Sequence, residues 1–149
     1  MTVPAAAVEL VKRFEGLRLD AYRCPAGRLT IGWGHTAALG APVPRLGMRI
    51  TAEDAEWILL RDIKAIADEL RPLVSVELSD NRWAALLSFA FNVGVPAFEG
   101  STLRRIINAG EIAAVPNELL RWVKGGRPKR VMPGLVARRE AEGALWREG

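Results

Sequence analysis

The amino-acid sequence predicts one α+β domain that is mostly α-helical, in which a long helix joins a small β-hairpin lobe to a helical lobe. Residues 15–50 contain turn signals and a β-branched run, whereas apolar residues recur at helical spacing through most of residues 51–149. The length of 149 residues suits one domain, 1–149. We predict the β lobe at about 15–50, the linking helix at about 51–71, and the helical lobe at 72–149 together with the N-terminal helix.

The first predicted element is a short helix that ends near Gly16, a residue type typical of helix C-termini. Val8 and Val11 belong to an apolar face at helical spacing, and Thr2 is predicted as the N-cap. Glu15 is therefore expected at the end of this helix.

A small sheet is predicted next. Residues 24–27 read Cys-Pro-Ala-Gly, a turn signal, and residues 29–31 form the β-branched run. Cys24 and Thr30 are therefore expected on a sheet that faces Glu15, with a cleft between them.

The long helix is the clearest helical pattern in the chain. Residues 37–49 show no periodicity and are predicted as a loop, after which Thr51 and Asp54 have the spacing of a capping box. Pro72 marks the end of the helix. Its apolar stripe consists of Ala55, Leu59, Ile63, Ile66 and Leu70.

Shorter helices are predicted for the rest of the chain. Ser79, Ser101 and Asn117 are each expected to cap one of them, and the last helix is expected at 135–146. Between these helices, residues 124–130 (KGGRPKR) are predicted to form a basic, glycine-rich loop.

The composition limits the possible functions. A net charge of +4 favours an anionic partner, such as nucleic acid, a membrane surface or a cell-wall polymer. One cysteine excludes an internal disulfide and a metal site built from several cysteines. No apolar run has the roughly 20 residues of a membrane span.

Glu15 is a candidate general acid. At a helix C-terminus the dipole disfavours the ionised carboxylate, and Phe14 and Gly16 beside it favour partial desolvation. Both effects favour the protonated form, which a general acid requires. The alternative is an ordinary solvated surface glutamate.

The spacing of Glu15, Cys24 and Thr30, with eight and then five residues between them, resembles the catalytic pattern of phage-type lysozymes, the endolysins of glycoside hydrolase family 24. Residues 91–103 (FNVGVPAFEGSTL) resemble the helix–turn–helix that faces the cleft in that family. Residues 134–146 (GLVARREAEGALW) resemble its final helix. The resemblance therefore covers most of the chain.

The resemblance implies hydrolysis of the β-1,4 bond between N-acetylmuramic acid and N-acetylglucosamine in peptidoglycan, with no cofactor and no metal. Glu15 would protonate the leaving oxygen, Cys24 would act on the developing charge or the attacking water, and Thr30 would hold that water. Many family members carry Asp at the position of Cys24. A thiolate there could act as nucleophile or base, whereas a neutral thiol could only orient water, so the stereochemical course stays open.

The resemblance also implies residues around the site. His35, the only histidine, is expected to be structural and to tie the β lobe to a neighbouring helix. Arg138 or Arg139 could reach back to Glu15, where a positive charge would favour the ionised carboxylate and oppose proton donation. Sugar contacts are expected from four further residues, namely Phe91, Asn92, Ser101 and Thr102.

Other functions stay open at this point. Cys24 and His35 could serve a Cys–His amidase or peptidase acting on the same polymer, and a lytic transglycosylase would cut the same sugar bond without water. The basic loop at 124–130 also fits a binding module without catalytic activity, although no nucleic-acid-binding signature accompanies it.

Peptidoglycan is the expected partner, with no nucleic acid bound, no stable membrane insertion and a monomeric protein. The first residues lack the basic-then-apolar form of a signal peptide. The protein is therefore expected to stay in the host cytoplasm until a holin permeabilises the membrane, and then to act on the wall in the periplasm.

Overall fold

The structure, a computed structural model, describes residues 2–149 and confirms the mostly helical α+β class. Met1, the first residue of the predicted domain, lies outside the described residues. The helices are α1 (Ala5–Glu15), α2 (Ala52–Leu70), α3 (Asp80–Val93), α4 (Val95–Glu99), α5 (Thr102–Asn108), α6 (Val115–Leu119) and α7 (Pro133–Arg147). The strands are β1 (Arg18–Arg23), β2 (Leu29–Gly32), β3 (His35–Thr36), β4 (Lys124–Gly125) and β5 (Arg130–Val131).

Three predicted caps are confirmed. Thr51 and Asp54 form both halves of a capping box at the start of α2, with N···O distances of 3.0 and 3.2 Å. The hydroxyls of Ser79 and Ser101 accept the backbone N–H of Arg82 and Arg104, respectively. These contacts fix where α2, α3 and α5 begin, and thus where their inward faces point.

Two other predicted caps are wrong, and proline is the reason in both cases. Pro4 rather than Thr2 is the N-cap of α1, because a proline disfavours helical geometry at the residue before it, here Val3. Asn117 lies inside α6, because Pro116 occupies the first turn of that helix, where a missing N–H costs nothing.

Two short elements differ from the prediction. Helix α4 follows α3 at once, because Gly94 adopts a φ of 91° that ends one helix and redirects the chain into the next. The predicted loop at 124–130 is instead most of a hairpin, the antiparallel pair β4–β5, in which Lys124 lies opposite Val131 just beyond the loop. Both elements are too short to give a periodic pattern in the sequence.

Helix α2 packs against both the small sheet and other helices. It contacts β2 and β3 of the three-stranded sheet β1–β2–β3 and also contacts α1, α3 and α4. Helices α1 and α7 both pack against α3, the most deeply buried helix. The end of α1, the middle of α7 and the small sheet are thereby brought together. Within residues 2–149, no helix is both long and apolar enough to cross a bilayer.

Candidate active site

Glu15 lies at the last position of α1, between the helical part of the fold and the small sheet. Gly16 ends the helix with a φ of 70°. Oε2 of Glu15 lies 2.5 Å from Nη1 of Arg138 on α7, and about a fifth of the Glu15 side chain is exposed. The carboxyl group is therefore fixed on one side and open on the other.

Gly34 forms the other contact of this carboxyl group. It lies in the turn between β2 and β3 with a φ of 75°, and a Cβ atom there would stand 2.7 Å from Cδ of Glu15 and 2.8 Å from Cγ. Any side chain would therefore collide with Glu15. The glycine allows the sheet to approach the carboxyl group closely.

Thr30 lies on β2, and Cys24 lies at the start of the turn that follows β1. Tyr22 lies opposite Thr30 in the β1–β2 ladder, so their side chains share a face, and Cys24 follows Tyr22 by two residues. The carbonyl oxygen of Arg28 accepts both the Cys24 N–H (2.9 Å) and the Thr30 hydroxyl (3.1 Å). The Thr30 oxygen keeps lone pairs for a further hydrogen bond, and the residue is 3% exposed. Cys24 is a free, half-buried thiol.

Tyr22 connects this face with Glu15. Burial is the largest cause that raises the pKa of the Tyr22 phenol, and the nearby negative charge of Glu15 raises it further, with a smaller contribution from Cys24. Tyr22 therefore lies within range of the charge of Glu15, while the positive charge of Arg18 acts in the opposite direction. We did not predict it from the sequence, because a half-buried tyrosine in a strand is ordinary.

His35 lies on the opposite face, towards α2. Its Nδ1 is 2.6 Å from Oδ2 of Asp62, and its Nε2 is 2.9 Å from the carbonyl oxygen of Pro42 and 3.1 Å from that of Gly40. His35 and Asp62 are each 1% exposed. With oxygen atoms at both ring nitrogens, His35 joins the sheet and the following loop to α2.

This pair leads to a prediction about stability and pH. Burial alone would lower the pKa of His35, but the hydrogen bond and negative charge of Asp62 outweigh it, so the pKa is raised. The folded state therefore holds the proton more tightly than the unfolded chain, whose histidine titrates near pH ~6.5. The stabilisation is complete below that pH and is lost as pH rises through the raised pKa.

We expect His35→Asn to lower the free energy of unfolding by about 3–5 kcal/mol in acid solution, the usual effect of breaking a buried pair. The difference from wild type should shrink as pH rises, and urea unfolding over a pH series measures it. The control is Lys64→Ala, which breaks the exposed Lys64–Asp68 pair on α2, the helix that also carries Asp62. If His35→Asn lowers the free energy of unfolding by a large amount that does not change with pH, the raised pKa of His35 is contradicted.

Arg138 belongs to a buried hydrogen-bonded network. Its Nη2 donates to the backbone oxygen of Ser88 (3.0 Å) and its Nε donates to the Ser88 hydroxyl (3.3 Å). That hydroxyl donates to Oε2 of Glu142 (2.6 Å), and Oε1 of Glu142 lies 3.2 Å from Nε of Arg139. Arg139 also donates to the side-chain oxygen of Asn92. Arg138, rather than Arg139, is therefore the arginine that contacts Glu15.

Burial shifts two groups in this network. Desolvation raises the pKa of Glu142, against the opposing charges of Arg139 and Arg138. Desolvation also lowers the pKa of Arg139 to about 10, although Glu142 opposes this. Glu142 was missed in the sequence, where its only signal is an acidic residue four positions after Arg138, on the face that also buries Trp146.

The four residues expected to contact sugar are not equally available. Phe91 is 8% exposed and packs in the core, so its ring offers little surface to a sugar. Ser101 donates its hydroxyl proton to the backbone oxygen of Phe98 and caps α5. Asn92 and Thr102 line one groove beside the β4–β5 hairpin, and Ser101 and Thr102 line a second. Neither groove includes Glu15, Cys24 or Thr30.

A partly exposed carboxyl group held between a helical bundle and a small sheet has the position expected of the general acid of a glycoside hydrolase. In the part of the chain that the structure describes, no group of three or more histidine, cysteine or acidic residues has the geometry of a metal site.

Comparisons with known proteins agree with this class. Residues 12–142 match the family Phage lysozyme. The endolysin of Acyrthosiphon pisum secondary endosymbiont phage 1 is 39% identical over 98% of both chains. The SAR-endolysin of bacteriophage PS119 is 34% identical over 86% of this chain and 73% of its own. The muramidase domain of SpmX from Asticaccaulis excentricus is 37% identical, with a TM-score of 0.84 and 97% of both chains covered.

The chain therefore belongs to the phage lysozyme family. It is a peptidoglycan-hydrolysing lysozyme of the endolysin type and acts on the cell wall.

Proposed function

We propose that the protein hydrolyses the β-1,4 bond between N-acetylmuramic acid and N-acetylglucosamine with Glu15 as the general acid. The observation that carries this proposal is the position of Glu15, whose carboxyl group is fixed by Arg138 and Gly34 yet remains about one fifth exposed. A glycan strand between α1 and the sheet would place its bridging oxygen against this carboxyl group. Glu15 would then protonate the leaving oxygen.

Cys24 and Thr30 supply the opposite wall. The Thr30 hydroxyl donates to the Arg28 carbonyl and keeps lone pairs for the hydrogen atoms of a water molecule. Cys24 lies at the start of the turn that follows β1 and faces the developing positive charge on the sugar ring. No bound ion or cofactor takes part in this scheme.

We assign the sugar contacts away from the scissile bond to Asn92 and Thr102, which line one groove, and to Ser101, which lines the adjacent groove together with Thr102. Lys124 and Lys129 line the groove of Asn92, so the positive charge of the β4–β5 hairpin lies where an anionic wall polymer would pass. We further propose that residues 1–149 act as one two-lobed domain, with the glycan between the lobes.

The amidase or peptidase alternative needs His35 as the base for Cys24. Both ring nitrogens of His35 face oxygen atoms of Asp62, Gly40 and Pro42, and the residue is 1% exposed. His35 is therefore occupied as a structural group and has no nitrogen lone pair for a thiol. The geometry favours the sugar bond over the peptide bond.

Analysis of digested peptidoglycan tests the proposal. We expect new reducing sugar ends, seen after borohydride reduction and mass spectrometry, without new amino groups. New amino groups would instead indicate an amidase or peptidase, and 1,6-anhydro ends would indicate a lytic transglycosylase. Heat-denatured protein serves as the control for spontaneous cleavage.

For release, we propose that the monomeric protein stays in the host cytoplasm until a holin opens the membrane, and then reaches the wall. The similarity to a SAR-endolysin makes membrane release without a holin the competing route. Expression in a Gram-negative host separates the two. Under our proposal the culture lyses only when a holin is co-expressed or chloroform is added, and lysis without either would contradict it.

A further inference from the structure

Four charged groups meet where α1 and α7 pack against α3: Glu15, Arg138, Arg139 and Glu142, here called the charge cluster. Arg138 contacts Glu15 at 2.5 Å and Glu142 at 3.4 Å, and Arg139 contacts Glu142 at 3.2 Å. The two arginines and Glu142 are each at most 3% exposed. The formal charges cancel when both glutamates are ionised.

The contact between Arg138 and Glu15 conflicts with proton donation. A guanidinium group against a carboxyl group favours the ionised carboxylate, whereas a general acid must carry its proton when the glycan is bound. In a site with little water this effect is larger than in solution. Some feature of the site must limit the influence of Arg138.

Glu142 is placed to do this. Its Oε2 accepts the Ser88 hydroxyl at 2.6 Å and lies 3.4 Å from Nε of Arg138, on the side of the guanidinium away from Glu15. Nε of Arg138 donates to the Ser88 hydroxyl, and Nη2 of Arg138 donates to the Ser88 backbone oxygen. These two bonds fix the plane of the guanidinium group. Arg138 is therefore shared between two carboxylates and cannot turn entirely towards Glu15.

We propose that Glu142, anchored by Ser88, is a positioning residue that orients Arg138 and offsets its charge, and so sets the upper pH limit at which Glu15 works as the acid. This inference rests on the proposed function of Glu15. Glu142 is fully buried and so out of reach of a substrate, yet it would control the pH range of the reaction.

The other groups that face the charge cluster do not replace Glu142. Helix α3 contributes Ser88 and Asn92, which do not titrate. On the sheet side, burial and the negative charge of Glu15 raise the pKa of Tyr22, and the Cys24 thiol follows Tyr22 by two residues. Helix α6 packs against α7, and its Glu118 pairs with the exposed Arg121 at 3.4 Å. Glu142 is thus the carboxylate in the described residues that contacts both arginines.

The first test compares pH–rate profiles for hydrolysis of peptidoglycan by the wild type and by Glu142→Gln. Glu142→Gln keeps the shape of the side chain and removes its charge. Arg138 then favours ionised Glu15 more strongly, so the alkaline limb of kcat/KM should move to lower pH by roughly one unit. Glu140→Gln, an exposed change on the same helix, should keep the wild-type profile.

A charge-compensated pair separates this role from a structural one. Arg139→Gln removes a buried positive charge and should move the alkaline limb to higher pH. Combined with Glu142→Gln it should return the limb towards that of wild type, whereas a purely structural role predicts that the double variant is the more damaged. If Glu142→Gln alone does not fold, Arg139→Gln and the double variant decide the question.

The inference is overturned if Glu142→Gln only lowers kcat at every pH, or if Arg139→Gln leaves the alkaline limb unchanged. Wild-type activity with an alkaline limb would persist in either case, so the proposed function would stand. A wild-type protein that releases no reducing ends at any pH would overturn both proposals together.

Discussion

Replacement of Glu15 by glutamine is expected to reduce the rate of peptidoglycan hydrolysis by about 10²–10⁴-fold, the usual contribution of a general acid. The amide keeps the size of the side chain but has no acidic proton for the leaving oxygen. Its amide oxygen can still accept a hydrogen bond from Arg138, so the fold should be retained. The clearing of chloroform-treated Gram-negative cells measures the rate.

The matched control is Glu9→Gln, which makes the same chemical change at an exposed position of α1. It should lyse cells at the wild-type rate. Circular dichroism and thermal unfolding of both variants would show that the helices are intact. If purified Glu15→Gln clears cells as fast as wild type, Glu15 is not the general acid.

Gly34→Ala is expected to give the second largest loss, about 100-fold in kcat, because small displacements of a catalytic group can have effects of this size. The new Cβ would stand 2.7 Å from Cδ of Glu15 and force the carboxyl group away from the sheet. The φ of 75° should also lower the free energy of unfolding by about 1–2 kcal/mol. Steady-state kinetics and urea unfolding measure the two effects.

Gly110→Ala is the control that separates backbone strain from displacement of the Glu15 carboxyl group. Gly110 has a φ of 79°, and a Cβ there would meet no atom within 4 Å. It should therefore lose similar stability and keep full activity. Equal kcat values for Gly34→Ala and wild type would show that the approach of Gly34 to Glu15 is unimportant for the reaction.

The elements with local signals were predictable from the sequence. The capping box of Thr51 and Asp54 and the apolar stripe of α2 depend only on neighbouring residues, and the structure has both. Glu15 at the end of α1 follows from the apolar pattern and Gly16 in the same way. The spacing of Glu15, Cys24 and Thr30 resembles that of a known family, so the function of the protein could also be predicted.

The partners of the site residues depend on contacts between distant parts of the chain, which no local pattern encodes. Asp62 lies among the apolar residues of α2 and binds His35 from 27 positions away. Ser88 on α3 and Glu142 on α7 meet although they are 54 positions apart in the sequence. The only hint in the sequence is an acidic residue on the buried face of α2, Asp62, and another on the buried face of α7, Glu142. Neither hint identifies the partner. Phe91 shows the converse, since its motif suggested a sugar contact and its packing buries it.

A crystal structure of Glu15→Gln with a bound peptidoglycan fragment tests the central claim most directly. The inactive side chain would keep the sugar bond intact. We expect the bridging glycosidic oxygen within hydrogen-bond distance of the side chain at position 15, with Cys24 and Thr30 on the other side of the sugar ring. A fragment whose glycosidic bond lies away from position 15, with Cys24 and Thr30 out of reach of its sugar, would contradict the account.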